Sequence, residues 1–426
     1  ADDATVELNE MRKEAGLPSR QEPFVIAWQP GQLAFMHWGR PVNKFREGPF
    51  DGQHRGFDRD LERMLVLNAS DKNLGEGSAG VTGKFGLGFK SVFLVSDRPR
   101  LKSGRLCLEI LGGMWPKPLS TDACLEMSNH LSSVCPDLRD GTVVVLGDLI
   151  EPAESILKKF QHLAGILLAF SRGIKQIYLN DGDMARQRVI WDETPLTESG
   201  RLSLGYVTLL PEATPYLMLK ITAGRGSLLF KMDIDGFGTL PEGTPTVWVT
   251  APTEESSDLG FAINGPFPLD IGRAKLGRDS REYEALAHEI GFELGKHLCE
   301  LYDLAGSNWG EFSKTMRLGT DLDAYDFWKS FWSLCVEPFV HRGRDRSNEA
   351  IALADEILWH SPECGIGQLI QNRASIPTGL WGSYRTLTTI QDVENAVVDS
   401  LSDAAIFNVV SEWEASKLLL APGKTV

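Results

Sequence analysis

The stretch "VTGKFGLGFKSVFLVSDRP", residues 81–99, decides how this chain is interpreted. It places Gly83, Gly86 and Gly88 within six residues, and Lys84 stands among them. A glycine loop that opens onto a helix can bind phosphate, because backbone N–H groups approach the anion closely and the helix start adds partial positive charge. Glycine clusters also serve tight turns and close packing, so the spacing alone leaves both interpretations open.

The local spacing matches neither of the common glycine motifs that bind phosphate. The P-loop pattern GxxxxGK followed by Ser or Thr is absent, and no GxGxxG follows a first strand. A phosphate site in this loop would therefore be of another type.

The segment "TGKFGLGFKSVF" (82–93) resembles the second glycine box of the GHKL ATPases. It is most similar to the sacsin-like and large heat-shock-chaperone branch, whose pattern is Gly-(Gln/Arg/Lys)-Phe-Gly-(Ile/Val/Leu)-Gly-Phe-x-Ser-(Val/Ala)-(Phe/Tyr). The continuation "SDRPRLKSG" (96–104) is similar to the Ser/Thr-Asp, Pro and final Ser-Gly of sacsin-like proteins. The resemblance implies an ATP site whose glycine box comprises Gly83, Lys84, Phe85, Gly86, Leu87, Gly88 and Phe89.

The start of the chain resembles another GHKL motif. "ADDA" (1–4) is similar to the end of the N-box, so that Asp3 corresponds to the N-box aspartate. The resemblance implies that the glutamate that activates water and the asparagine that binds Mg²⁺ lie upstream of Ala1. The chain is therefore expected to begin inside the N-box helix.

Two further segments follow in the order of that family. Ser70 and Lys72 in "LNASDKN" (67–73) resemble the Ser-x-Lys segment of the lid that closes over ATP. Thr142 in "GTVVVL" (141–146) matches the threonine whose hydroxyl helps to hold adenine. The resemblance thus assigns all three residues to nucleotide binding.

The first glycine box departs from the family. GHKL proteins usually carry Asp-x-Gly-x-Gly there, and the aspartate accepts a hydrogen bond from the adenine amino group. In "FMHWGRPVN" (35–43), Gly39 keeps the first glycine, but His37 stands at the aspartate position and Pro41 at the second glycine. A neutral imidazole can accept or donate one hydrogen bond, which retains contact with the base. A histidine satisfied in the core is the alternative interpretation.

Helix and strand patterns alternate along the first part of the chain. Residues 23–39 read as two strands around the turn Pro30-Gly31, while 1–16 and 153–174 read as helices. Together with the resemblance, these patterns predict the α/β fold class. The expected domains are a Bergerat-type α/β sandwich ATPase domain over 1–180 and a ribosomal-S5-like α/β transducer over 181–305. A mostly helical region over 306–426 is expected to continue into a larger protein.

Three basic residues lie close together in the expected transducer. Arg273, Lys275 and Arg278 belong to "GFAINGPFPLDIGRAKLGRDS" (260–280). In related ATPases the transducer sends one basic residue to the γ-phosphate, where it would stabilise developing charge. The resemblance favours Lys275 and Arg273 for this catalytic contact, and a solvated basic loop is the alternative.

Composition sets limits on the other classes of function. The chain has 426 residues and a net charge of -15, which argues against a chain-wide nucleic-acid-binding surface. No run of apolar residues is long enough to span a membrane. The absence of CxxC pairs favours reduced thiols, and therefore a cytoplasmic protein, over a zinc site or a disulfide framework. The six cysteines are Cys107, Cys124, Cys135, Cys299, Cys335 and Cys364.

Together the motifs predict a conformational switch that binds Mg-ATP and hydrolyses it. The family resemblance implies a chaperone-like or clamp-like role, a homodimer or larger assembly, and an unidentified protein client. A place in a bacterial anti-phage defence system is a further hypothesis from the habits of the family. The alternative is a non-hydrolysing nucleotide-binding scaffold or protein-interaction module, motivated by His37 and Pro41. A histidine kinase is disfavoured, because no phosphoacceptor-helix pattern precedes the domain.

Overall fold

The fold was analysed in a computed structural model. It describes residues 1–43, 57–65, 89–135, 138, 141–181, 187–208, 215–256, 259–270, 274–277, 280–342, 349–350, 353–354 and 357. The chain divides into two compact units. The first comprises Ala1–Asp192 and Val207–Pro215, and the second comprises Glu193–Tyr206 and Tyr216–Val426.

The first unit alternates helices and strands. Its helices are α1 (Asp2–Glu14), α2 (Asp60–Leu65), α3 (Thr121–Val134) and α4 (Ala153–Phe170), with 3-10 turns at Phe57–Arg59 and Phe89–Leu94. Its strands are β1 (Phe24–Gln29), β2 (Gln32–His37), β3 (Arg100–Ser103), β4 (Leu106–Leu111), β5 (Trp115–Pro118), β6 (Thr142–Leu146), β7 (Gln176–Asp181) and the start of β8 (Gln187–Pro195). The chain passes from the first unit to the second within β8.

These strands form a mixed sheet in the order β8-β7-β1-β2-β6-β3-β4-β5. The β1–β7 pair is parallel, and its neighbours pair antiparallel. The predicted hairpin over 23–39 is confirmed, since β1 and β2 pair around a turn in which Gly31 has a φ of +74°. A mixed α/β architecture is therefore established for this unit, whereas a specifically Bergerat arrangement stays a prediction.

Side chains alternate between the two faces of this sheet. The first, which we call the α3 face, packs against Met127 and Leu131 of α3. The second, which we call the Phe89 face, carries a cluster against which Phe89 and Phe93 pack. The sheet residues of the α3 face are Val25, Ala27, Ala34, Met36, Val143 and Val145, and those of the Phe89 face include Leu101, Leu108, Ile110 and Val144.

A disulfide joins the sheet to helix α3. Cys107 of β4 bonds to Cys124 of α3, with Cα atoms 5.9 Å apart. The prediction of reduced thiols is wrong for this pair. The local sequence pattern shows no sign of the bond, because the two cysteines are separated by 17 positions and only the packing of α3 on the sheet brings them together.

The second unit contains the later strands and helices of the chain. Its strand order is β14-β13-β15-β11-β10-β9, with β12 paired to β11. The strands are β9 (Leu202–Thr208), β10 (Pro215–Ala223), β11 (Gly226–Asp233), β12 (Gly236–Gly238), β13 (Val247–Val249), β14 (Ala251–Pro252) and β15 (Phe261–Asn264), and the helices are α5 (Ser280–Ser307), α6 (Trp309–Thr315) and α7 (Ala324–Arg342). The S5-like arrangement expected for this region stays a prediction.

Aromatic side chains build the core of the second unit. Phe327 and Phe331 of α7 pack on Phe237, and Phe331 also meets Phe230. Both α7 residues are fully buried, as expected if this aromatic stripe is core rather than a binding site. Across both units, none of the helices within the described ranges is long and apolar enough to cross a membrane.

Candidate functional site

A row of polar side chains crosses the middle of the first sheet. His37 at the end of β2 is paired in register with Thr142 of β6, and Thr142 is paired with Ser103 of β3. Directly paired residues share a face, and Thr142 lies two positions from Val144 of the Phe89 face. The row His37–Thr142–Ser103 therefore lies on the Phe89 face.

Hydrogen bonds fix the Ser103 end of this row. The Ser103 and Thr142 hydroxyl oxygens are 2.6 Å apart, and Ser103 Oγ also accepts from the Val42 N–H at 2.8 Å. Ser103 is 0% exposed and Thr142 is 2% exposed. Buried hydroxyls need hydrogen-bond partners, so these contacts define the rotamers of Ser103 and Thr142. One of the two hydroxyls donates to the other, and the proton of the second hydroxyl is left for a further acceptor.

His37 has a defined protonation state. Its Nδ1 accepts a hydrogen bond from the Gly39 N–H at 3.2 Å. Burial lowers the pKa of His37 well below its usual value, and the Arg40 guanidinium acts in the same direction. The imidazole is thus neutral, and because Nδ1 accepts, the ring proton lies on Nε2. His37 offers an N–H donor to any partner beyond Nε2.

Helix α1 lies directly against the chain that leaves β2. A Cβ at Gly39 would come within 2.7 Å of the Ala4 carbonyl carbon and the Thr5 nitrogen. The Arg40 N–H donates to the Ala4 carbonyl at 2.8 Å. Gly39, predicted to bind nucleotide, has at least a packing role, since only glycine allows α1 this close to the end of the His37 strand.

Arg40 joins three segments beside the polar row. Its Nε donates to Glu7 of α1 at 2.7 Å, and its Nη1 and Nη2 donate to the two carboxylate oxygens of Asp60 at 2.6 and 3.1 Å. The guanidinium also lies 3.8 Å from the centroid of the Phe57 ring. Burial alone would lower the pKa of Arg40, but Asp60 and Glu7 outweigh it and raise that pKa. The Arg40 side chain thus ties α1 and α2 to the end of β2.

The sequence pattern did not single out Arg40. Within "FMHWGRPVN" it stands at the variable position between the two glycine positions of the family motif. The sequence feature that could have identified Arg40 is a lone arginine shortly after a buried strand. Such a residue needs acidic partners, which the sequence places far away at Glu7 and Asp60.

The two N-terminal aspartates contact the turn after α4. Asp2 Oδ1 accepts from the Ser171 hydroxyl at 2.6 Å and from the Gly173 N–H at 2.7 Å. Burial tends to raise the pKa of Asp2, but the hydrogen bond from Ser171 and those from nearby backbone N–H groups outweigh burial and lower it. Asp3, predicted to correspond to the N-box aspartate, forms an ion pair with Arg172 at 3.0 Å.

Most of the predicted glycine box lies outside the described residues, and Phe89 is its described end. Phe89 begins a 3-10 turn and packs against the cluster of the Phe89 face. The structure therefore brings Phe89, His37 and Thr142 to one face of one sheet. The predicted residues outside the described part of the chain are Ser70, Lys72, Gly83, Lys84, Phe85, Gly86, Leu87, Gly88, Arg273 and Arg278.

Lys275 lies on a short hairpin of the second unit. The Asp270 N–H donates to the Lys275 carbonyl at 2.9 Å, and Asp270 Oδ1 accepts from the Lys275 N–H at 3.2 Å. The neighbouring Leu276 N–H donates to Glu255 at 3.1 Å. These bonds fix the backbone and leave the Lys275 side chain exposed. Its contact with a γ-phosphate stays a prediction.

The described part of the chain contains no group of three or more His, Cys, Asp or Glu side chains that could hold a metal ion. Asp2 and Asp3, the two acidic residues at the start of α1, contact the turn after α4 instead. The expected Mg²⁺ ligand was assigned to a position before Ala1, so the Mg²⁺ prediction is neither supported nor opposed by these residues.

Comparison with protein-family models and with curated proteins finds no match for this chain. Any function assigned to it must therefore come from the geometry of its own residues and from the motifs in its sequence.

Proposed function

We propose that the first unit binds a purine nucleoside triphosphate, ATP in the interpretation that the motifs favour, on its Phe89 face. One observation carries the proposal: His37, Thr142 and Phe89 come from three distant motifs in the sequence, yet they share one face of one sheet. A sheet face that carries a few polar groups amid apolar side chains is typical of small-molecule sites.

In this proposal the base lies beside His37 and Thr142. The Nε2–H of His37 donates to an acceptor on the base, and the hydroxyl pair of Thr142 and Ser103 supplies a second polar contact. The glycine box that precedes Phe89 binds the phosphates through backbone N–H groups and Lys84. The contact between α1 and Gly39 supports this geometry, since it holds the expected N-box helix against the end of the His37 strand.

Hydrolysis is the second part of the proposal. Mg²⁺ and a general-base glutamate would supply the chemistry from positions before Ala1, as the N-box resemblance implies. The expected result is a conformational switch of chaperone-like or clamp-like type that works as a homodimer or larger assembly on a protein client. A role in anti-phage defence extends the proposal on the family resemblance alone. The cytoplasmic location was predicted from reduced thiols, and the Cys107–Cys124 disulfide stands against that ground.

A nucleotide-binding scaffold without hydrolysis is a second candidate. It is favoured by the state of His37, whose neutral ring offers a donor where the family uses a carboxylate acceptor. It is also favoured by Asp3, which forms an ion pair with Arg172. The two candidates share the nucleotide site and differ only in turnover.

The shared site is tested by equilibrium binding of a non-hydrolysable ATP analogue with Mg²⁺. We expect Thr142→Val to weaken binding by about tenfold, the effect of one lost buried hydrogen bond. Gly86→Val should abolish binding, because a side chain there blocks close approach of the phosphates. Thr222→Val, at a half-buried strand position of the second unit, is the matched control.

Two outcomes separate the candidates. If the wild-type chain releases phosphate from ATP and Gly86→Val does not, the result supports the switch. If the wild-type chain binds the nucleotide without releasing phosphate, the result supports the scaffold. Unchanged affinity in both Gly86→Val and Thr142→Val would show that the nucleotide binds elsewhere on the chain.

A further inference from the structure

A cavity lies on the α3 face of the first sheet, beneath α3. It has a volume of about 380 Å³, within the range of small-molecule sites. Its lining comes from β1, β2, β7 and α3. The lining residues on which the inference rests are Ala27, Ala34, Asn180, Glu126, His130 and Ser133.

Small side chains on the sheet create this space. Ala27 of β1 is paired in register with Ala34 of β2 on one side and with Asn180 of β7 on the other. Paired residues share a face, so two methyl groups and one carboxamide form the floor. Larger side chains at these positions would fill the gap under the helix.

One side of α3 forms the roof. Glu126, His130 and Ser133 are four and three positions apart, the spacing that places residues on one side of a helix. Met127 and Leu131 of the same helix are buried in the neighbouring core, which anchors the roof to the sheet. The cavity is therefore bounded by two elements of fixed relative position and borders on solvent at Glu126 and Ser133, which are both exposed.

The lining has the wrong charge for an anion. Among the lining residues that the structure describes, Glu126 is the charged group, and none is a lysine or arginine. His130 is held neutral, because burial lowers its pKa and Glu126 only partly opposes this. Apart from Trp28, whose indole N–H only donates, the remaining polar side chains are carboxamides and a hydroxyl that can accept hydrogen bonds, from Gln29, Gln32, Asn180 and Ser133.

We propose that this cavity binds a small organic ammonium ion. The Glu126 carboxylate is the counter-ion, and the carboxamide oxygens with the His130 ring accept the N–H groups of the ligand. The site is independent of the proposed nucleotide site, because Ala34 and His37 lie on opposite faces of the same sheet.

Three probes with a common phenyl ring and similar size test the charge preference. Benzylammonium carries one positive charge at neutral pH, benzyl alcohol none, and benzoate one negative charge. Binding is followed through the NMR signals of the His130 ring in the whole chain. We expect benzylammonium to bind about three- to fivefold more tightly than benzyl alcohol, and benzoate to leave the His130 signals unchanged.

Two substitutions test the location of the site. Glu126→Gln should weaken benzylammonium binding by about three- to fivefold, the effect of an exposed ion pair, and leave benzyl alcohol binding unchanged. Asp122→Asn, on the exposed first turn of α3 and outside the lining, is its control. Ser133→Phe should close the exposed rim without touching the core and weaken both probes, whereas Ser132→Phe, exposed and outside the lining, should not.

Equal affinities for the three probes would overturn the proposal. So would benzylammonium binding that survives both Glu126→Gln and Ser133→Phe. Because neither substitution lies on the Phe89 face, both results are independent of whether the chain binds ATP.

Discussion

His37 determines the hydrogen-bonding character of the proposed nucleotide site. Its Nδ1 is occupied by the Gly39 N–H, so its remaining ring nitrogen is a donor. An ionised aspartate at the same position could only accept hydrogen bonds, through both of its carboxylate oxygens. The family resemblance indicated that a histidine occupies the aspartate position, but only the Gly39 contact shows which of its two possible roles the ring adopts.

Exchange of His37 for aspartate should therefore change base preference. A donor suits the carbonyl oxygen of inosine triphosphate, whereas a carboxylate suits the amino group of ATP. We expect His37→Asp to shift the ratio of the two affinities toward ATP by about tenfold or more, measured by competition with a fluorescent nucleotide. His162→Asp, on an exposed position of α4, is the control. An unchanged ratio would remove His37 from the base site.

The lowered pKa of His37 also predicts a pH dependence of stability. The unfolded chain binds a proton at His37 below pH 6.5, whereas the folded protein binds it only at lower pH. The contribution of neutral His37 is therefore complete above pH 6.5 and is lost as the pH falls toward the folded-state pKa. One such proton gives a slope of at most about 1.4 kcal/mol per pH unit.

His37→Asn should reduce this slope, since an asparagine oxygen can still accept from Gly39 and does not titrate. The contribution of His130, whose pKa burial also lowers, remains in both proteins. Urea unfolding between about pH 5 and pH 6.5 measures it. Asp2 does not interfere, because its lowered pKa places its titration below 3.8. The same slope in His37→Asn and wild type would contradict a neutral imidazole at His37 in the folded protein.

Among the elements, α1 and α2 depend on a single arginine. Arg40 is 8% exposed and connects Glu7 of α1 to Asp60 at the start of α2. Asp60 in turn accepts from the Asn43 N–H at 2.8 Å. The helices beside the polar row are thus positioned by side-chain hydrogen bonds as well as by apolar packing.

Loss of this arginine should be costly. Arg40→Met leaves two partly buried carboxylates without their partner, and we expect the free energy of unfolding to fall by about 3 kcal/mol. Arg59→Met is the matched control, because the Arg59–Glu62 pair is 51% exposed on both sides and should contribute less than about 1 kcal/mol. Equal effects of the two substitutions in chemical denaturation would show that the Arg40 pairs contribute no more than a surface ion pair.

The disulfide provides a separate test of how α3 is attached. Removal of a cross-link between positions 17 apart should cost about 2–4 kcal/mol. We expect Cys107→Ala to lower the melting temperature, and a reducing agent to lower it in wild type but not in Cys107→Ala. No response of the wild type to reduction would contradict the bond.

In the whole molecule, local patterns predicted much of the fold. The helices at 1–16 and 153–174 correspond to α1 and α4, and the hairpin over 23–39 is present. Helix α3 was missed, because Met127 and Leu131 are its only fully buried residues and produce a weak apolar period. The disulfide and the ion pairs of Arg40 join positions far apart in sequence, which no local pattern can predict.

The candidate site was predictable only in part. His37 and Thr142 were selected by motif resemblance, and register pairing places them side by side. Ser103 is the serine of the final Ser-Gly in the 96–104 motif segment, but the resemblance assigned it no role in nucleotide binding. Its hydrogen bond to Thr142 depends on the pairing of β3 with β6, which the sequence does not reveal.

The most direct test is a crystal structure of the chain with a non-hydrolysable ATP analogue and Mg²⁺. We expect the base to lie on the Phe89 face within hydrogen-bonding distance of His37 Nε2 or Thr142 Oγ1, and the phosphates to contact residues 83–88. An analogue bound on another surface, or none bound at saturating concentration, would contradict the proposed function.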